Sequence, residues 1–207
     1  MEISLTPMEF ARRAKRLYSE SEAVVDGELR LTYGQFFERC DRWSKALQGM
    51  GVKKGDRVAY IAPNTHSHLE AYYAVPQIGA VLVPINYRLK SEEFEYILNH
   101  CGAKVLCVHP DFYDAIDGIR DQIKTVEAFI GLEDALPNWI DYEAQIHQHE
   151  ASFAPVEIDE LDLITINYTS GTTARPKGVM ITHRNAYINI MGTLAHHHLT
   201  PQDRYLW

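Results

Sequence analysis

Apolar residues along this chain follow two rhythms that alternate. The first is helical. Phe10, Ala14 and Leu17 recur at helical spacing behind Thr6-Pro7, with Arg12, Arg13, Lys15 and Arg16 between them, and predict a first helix with a solvated basic face. Thr32 with Gln35 three residues on forms a capping box, after which Phe36, Cys40, Trp43, Leu47 and Met50 mark one buried stripe that Gly49 and Gly51 end. The second rhythm is the short apolar, β-branched run, seen at 57–61, 80–85, 104–108 and 126–130, with helical segments near 66–79, 91–101 and 111–121 between the runs. Residues 23–31, centred on Asp26-Gly27, predict a hairpin because Asp-Gly accepts the positive φ of a tight turn. Strand–helix–strand steps of roughly 20 to 25 residues are what parallel strands with crossover helices produce, so the expected fold class is α/β with a largely parallel sheet. Ser91 ahead of Glu92-Glu93 predicts a helix cap, Gly102 the end of that helix, and Pro76 an early stop for the 66–79 segment. Residues 131–162 read as a surface connection with a short helix over 139–147, and 203–207 as a further strand.

Composition narrows the class. With 46% hydrophobic and 23% charged residues, a disordered tail, a collagen and a disulfide miniprotein are excluded. Half of the 28 acidic residues fall between Asp111 and Asp162, so the net charge of -8 belongs mainly to one segment. An overall acidic chain argues against nucleic acid as a partner, since such binding rests on many Lys and Arg contacts to phosphate. Cys40, Cys101 and Cys107 form no CxxC pair and are odd in number, as reduced thiols would be. The first twenty residues hold no apolar stretch of the signal-peptide kind, and the longest near-apolar run, 71–85, contains Gln77 and two prolines and is too short to span a bilayer. A cytoplasmic protein without an integral membrane segment is expected.

The chemistry gathers after residue 162. Leu163-Ile-Thr-Ile-Asn167 is a strand-like run that feeds directly into Tyr168-Thr-Ser-Gly-Thr-Thr-Ala-Arg-Pro-Lys-Gly178. Hydroxyls, glycines and a lysine at the end of a buried strand suit a phosphate: glycine lets backbone approach the anion, N–H and O–H groups donate, and lysine adds mobile positive charge. The Walker A pattern does not match, because Pro176 precedes the lysine where that pattern has glycine, and Gly178 follows it where the pattern has Ser or Thr. Residues 179–182 read as a strand, so the loop joins strand to strand.

The string YTSGTTARPKGVMITHRN resembles the signature loop of the adenylate-forming superfamily, which includes acyl-CoA synthetases, coumarate-CoA ligases, luciferases and peptide-synthetase adenylation domains. The departure is Ala174 where the family pattern has glycine. The TSGTTARPKG form is similar to that of short- and medium-chain fatty-acid-CoA ligases. LTYGQFFERCDRWSKALQGMGVKKGDRVAYIAPN and AVPQIGAVLVPINYRLKSEEFEYILNHCGAKVL resemble the family's upstream stretches, in the same order. The resemblance implies ATP, Mg²⁺ and CoA as cofactor and co-substrates, a carboxylic acid as substrate, and an AMP-forming ligation; it leaves a homodimer open. It implies ATP-phosphate contacts by Thr169, Ser170, Gly171, Thr172, Thr173 and Lys177, with Thr169 also a ligand of Mg²⁺, and a solvent-facing Arg175. It further implies that residues 1–160 form a first α/β subdomain and 161–207 the start of a second, and that the adenine, ribose and acyl-pocket motifs and the C-terminal catalytic lysine of the family lie beyond Trp207. On that reading the chain is the N-terminal part of the AMP-binding domain, holds no catalytic residue and is inactive alone. The rival readings are a carrier-loading adenylation domain or luciferase-type enzyme, and a non-catalytic interaction fragment.

Three histidines in a row, His196 to His198, cannot converge on one metal ion as an i, i+4 pair can, and read as a surface cluster. His66 and His68 read as polar surface too, and the tyrosines and tryptophans, which fall mostly on apolar faces, as core.

Overall fold

A computed structural model describes residues 4–169, 175–200 and 202–207. Helix α1 (Met8–Leu17) precedes a hairpin of β1 (Glu22–Asp26) and β2 (Leu29–Thr32), whose turn places Gly27 at φ 55°. Thr32 then caps α2 (Tyr33–Gly49): its backbone N–H donates to the Gln35 side chain at 2.9 Å, and the Gln35 N–H donates to the Thr32 hydroxyl at 3.2 Å. The central sheet is assembled from β3 (Arg57–Ile61), β4 (Val81–Ile85), β5 (Ala103–Val108), β6 (Ala128–Gly131), β7 (Ile140–Asp141), β8 (Leu163–Thr169) and β9 (Lys177–Thr182), in the order β7-β6-β5-β3-β4-β8-β9. All neighbours are parallel except β8 and β9.

Helices cover both faces of this sheet, as the crossover connections of parallel strands require. Alternation along β3 shows it: Val58 and Tyr60 join the apolar layer that holds Trp43 and Leu47 of α2, while Ala59 and Ile61 join the opposite layer with Phe94, Ile97 and Leu98. Those last three come from α4 (Ser91–Cys101), which gives way at Gly102. On the α2 side lie α3 (His66–Ala74) and α6 (Tyr142–Gln148). A tight turn at Pro76–Ile78 follows α3, so the helix stops two residues short of the proline.

Several expectations are corrected. The segment near 111–121 is not one helix but α5 (Tyr113–Asp117) between two 3₁₀ turns, as Gly118 follows directly. Ser91 is the first helical residue rather than the cap; the preceding Lys90 N–H donates to the Glu93 carboxylate at 3.0 Å. The short helix expected over 139–147 begins only at Tyr142, because Ile140 and Asp141 pair with β6 and Asp141 accepts from the Ala144 N–H. Residues 203–207 form no strand: the Trp207 ring instead meets His68 and Tyr72 edge-on at 5.5 and 5.9 Å.

His66 and His68 are not polar surface. His68 is buried between the rings of Tyr60 and Tyr72, at 5.6 and 5.5 Å, and burial lowers its pKa. His66 lies between Asp26 of β1, 2.9 Å from Nδ1, and Glu143 of α6, 3.4 Å from Nε2. Glu143 also accepts two hydrogen bonds from the Arg39 guanidinium of α2, which reaches the fully buried Glu70 of α3 at 2.6 Å. Tyr142 donates to the other oxygen of Glu70. Burial pushes the Glu70 carboxyl up against the pull of Arg39, so this carboxylate depends on its counter-charge. A chain of charge-assisted contacts thus ties the hairpin, α2, α3 and α6 together.

Arg39→Met leaves Glu70 buried without a counter-charge and is expected to destabilise the fold by ~3–5 kcal/mol, read as a lower midpoint in urea unfolding. The pH dependence has a definite sign. Burial opposes the His66 charge, but Glu143 and Asp26 outweigh it and raise the pKa, so the contribution is complete below the ordinary value of 6.5 and disappears as pH climbs through the higher folded value. Burial also opposes the Glu143 charge, yet His66 and Arg39 hold that carboxyl at about 2, so its contribution persists above 4.5 and is lost only as pH falls towards 2. The His66 contribution to the melting temperature should therefore fade as pH rises above 6.5, and His66→Gln should remove that part of the pH dependence.

Candidate functional site

Strand β8 enters the sheet beside β4, with Leu82 opposite Thr165, and runs parallel to it. Its end at Thr169 is therefore at the carboxyl edge of the parallel strands, where open α/β sheets present ligand sites. The chain returns antiparallel as β9, in the register Asn167–Val179, Tyr168–Gly178 and Thr169–Lys177. The returning strand begins at Lys177, two residues earlier than the apolar pattern indicates, so this lysine belongs to the ladder. Directly opposed residues of an antiparallel pair share a face. Thr169 and Lys177 are thus exposed side by side at the loop end of the hairpin. Ser170, Gly171, Thr172 and Thr173, the other expected phosphate contacts, and Ala174 lie outside the described residues.

Gly178 is required by packing. A Cβ there would come within 2.9 Å of Ile166 Cγ2 and 3.2 Å of the Tyr168 ring. The tyrosine therefore lies across the glycine, and burial pushes its hydroxyl to about 12. That hydroxyl is hydrogen-bonded to His100 Nδ1 of α4 at 2.6 Å. Arg175, expected to face solvent, is exposed, with its guanidinium 5.3 Å from the centre of the Tyr96 ring. Neither Tyr96 nor His100 stands out in the sequence as part of the site. Their i, i+4 spacing on a helix was the available signal.

Beyond the hairpin, α7 (His183–His196) starts at a second capping box, where the Asn185 N–H donates to the Thr182 hydroxyl at 3.2 Å. His183 is buried and bonds the Thr6 hydroxyl at 2.8 Å, fastening α7 to the N-terminal segment. Pro7, Tyr72, Tyr73, Leu82, Val179 and Ile190 line part of an apolar groove of about 670 Å³ between this helix, the hairpin and α3. His196 bonds the Gly192 carbonyl at 2.8 Å, while His197 and His198 are exposed. Among the described residues, no group of three or more His, Cys, Asp or Glu side chains is placed to hold a metal ion, and no helix is long and apolar enough to cross a membrane.

The family model described as AMP-binding enzyme matches residues 10–207. The 4-hydroxybutyrate–CoA ligase 2 of Metallosphaera sedula is 35% identical over 98% of this chain and 39% of its own length. The long-chain-fatty-acid–CoA ligase of Thermus thermophilus is 39% identical over 89% of this chain and 34% of its own. Among solved structures, an anthranilate CoA ligase in complex with anthranoyl-AMP superposes with a TM-score of 0.84 at 25% identity, covering 89% of this chain and 36% of that one. The chain belongs to the AMP-binding enzyme family and spans between a third and two fifths of the length of these relatives.

Gly178→Ala should force Ile166 and Tyr168 aside and lower stability by about 1–3 kcal/mol in denaturant unfolding. The loss should shrink in an Ile166→Ala background, where the nearer obstruction is gone.

Proposed function

We propose that this chain supplies the triphosphate grip of an AMP-forming acid-CoA ligase. The observation that carries the reading is the register that sets Thr169 opposite Lys177 at the carboxyl end of β8, in a chain of the AMP-binding enzyme family. A lysine ammonium at that place meets negative charge as pyrophosphate departs, and fixed positive charge of this kind lowers the barrier to phosphoryl chemistry. In the reaction proposed, a carboxylate oxygen attacks the α-phosphorus of ATP and pyrophosphate leaves. The sulfur of CoA then attacks the acyl carbon, AMP leaves with the bonding pair, and the thiol proton passes to solvent. Two steps make the acyl carbon electrophilic before the thiol meets it.

The roles assigned are phosphate contact for Thr169, Ser170, Gly171, Thr172, Thr173 and Lys177. Mg²⁺ is assigned to the Thr169 hydroxyl together with phosphate oxygens; when bound, the ion neutralises charge on the triphosphate. The exposed hydroxyl beside an exposed ammonium supports the phosphate contact. For the acid we assign a short or medium aliphatic chain, on the TSGTTARPKG form of the loop and on the four-carbon substrate in the name of the Metallosphaera sedula relative.

ATP–pyrophosphate exchange in the complete gene product, across acids from acetate to long-chain and aromatic ones, tests the reading. Lys177→Ala should slow exchange by one to three orders of magnitude, about 1.4 kcal/mol per tenfold, with little change in stability because the exposed lysine fills no core space. Exchange at the wild-type rate would reduce the lysine to a solvated strand residue, and a marked preference for amino acids would overturn the acid assignment.

A further inference from the structure

We infer that Tyr96 and His100 of α4 are positioning residues for the hairpin tip, fixing where Thr169 and Lys177 meet the triphosphate; the inference rests on the function proposed above. The two side chains are one helical turn apart on the same face, with ring centres 5.2 Å apart and planes inclined by 27°. His100 holds a residue of β8 and Tyr96 the residue two places before β9 begins. His100 bonds the Tyr168 hydroxyl at 2.6 Å and meets that ring edge-on at 5.8 Å, one residue before Thr169. Tyr96 carries the Arg175 guanidinium over its ring, two residues before Lys177.

The platform is rigid for a reason independent of the hairpin. On its inner side α4 buries Phe94, Ile97 and Leu98, and the Glu93 carboxylate accepts from the Lys90 N–H at its start. Side chains alternate along a strand, so holding Tyr168 against α4 turns Thr169 to the opposite face of the hairpin. Lys177, opposed to Thr169, takes that same face. Gly178 completes the arrangement by leaving room for the Tyr168 ring to lie flat enough to reach His100. Two contacts from one helix therefore fix both stems of the loop. A positioned contact lowers the cost of holding Thr169 and Lys177 in place when the nucleotide binds.

Steady-state exchange kinetics of the complete gene product test this. His100→Ala should raise KM for ATP about 3- to 10-fold, the scale of one net hydrogen bond, with KM for the acid unchanged. His100→Asn, which keeps a polar group near the Nδ1 position, should restore most of it. Tyr168→Phe should reproduce His100→Ala, and the double variant should be no worse than either, because both remove one bond. Tyr96→Leu should match Arg175→Ala in the same way. An unchanged KM for ATP in His100→Ala and Tyr96→Leu, while Lys177→Ala still slows exchange, overturns the inference and leaves the functional reading intact. Equal losses towards ATP and acid, or no rescue by His100→Asn, mark a merely structural role and also overturn it. Unchanged exchange in Lys177→Ala overturns the functional reading, and this inference with it.

Discussion

Where a ring of tyrosine crosses a glycine in the opposite strand, two backbones are locked into one register. Tyr168 and Gly178 are such a pair, and the placement of every described group at the site depends on them. A slip of one residue between β8 and β9 would set Tyr168 against Val179 or Lys177, and would separate Thr169 from Lys177. It would also reverse which side chains face the sheet's apolar layers. The register further sets Thr169 at the edge of the molecule where the parallel strands end. Parallel pairing of β8 with β4 accounts for that position, and antiparallel return accounts for the lysine beside it.

The rest of the fold serves to make that edge rigid. Strands β3, β4 and β5 are buried on both faces, and such strands hold their ends in fixed relation. The charged contacts of Arg39, Glu70, Glu143 and His66 lie in the α2 layer and fasten helices that approach the sheet from separate parts of the chain. Burying charge is costly, and here each charged group finds a partner of opposite sign.

Local features were legible in the sequence and long-range ones were not. The Thr32–Gln35 capping box, the Asp26-Gly27 turn, the stripe from Phe36 to Leu47 and the stop before Pro76 each rest on neighbours a few residues apart, and each is present. The α/β class followed from the rhythm of strand and helix alone. Of the site, Thr169 and Lys177 were legible through composition and resemblance, but their opposition was not, since the register depends on the shape of Tyr168 against Gly178. His66 and His68 were read as surface because histidine composition says nothing about burial; the partners of His66, Asp26 and Glu143, lie 40 and 77 positions away. The same holds for His100 and Tyr168, separated by 68 positions. Residues 203–207 carry an apolar pattern that suits a strand, but Trp207 finds aromatic rings to pack against instead.

The central claim is that Thr169 and Lys177 grip phosphates beyond the first. Amine-selective labelling of Lys177, read by mass spectrometry of the complete gene product, tests it directly. ATP with Mg²⁺, and pyrophosphate alone, should each protect Lys177 several-fold, while AMP should protect it little, because the proposed contact of the lysine is with the leaving phosphates and not the nucleotide monophosphate. Equal protection by AMP, or labelling of Lys177 that no nucleotide or pyrophosphate slows, would contradict the account.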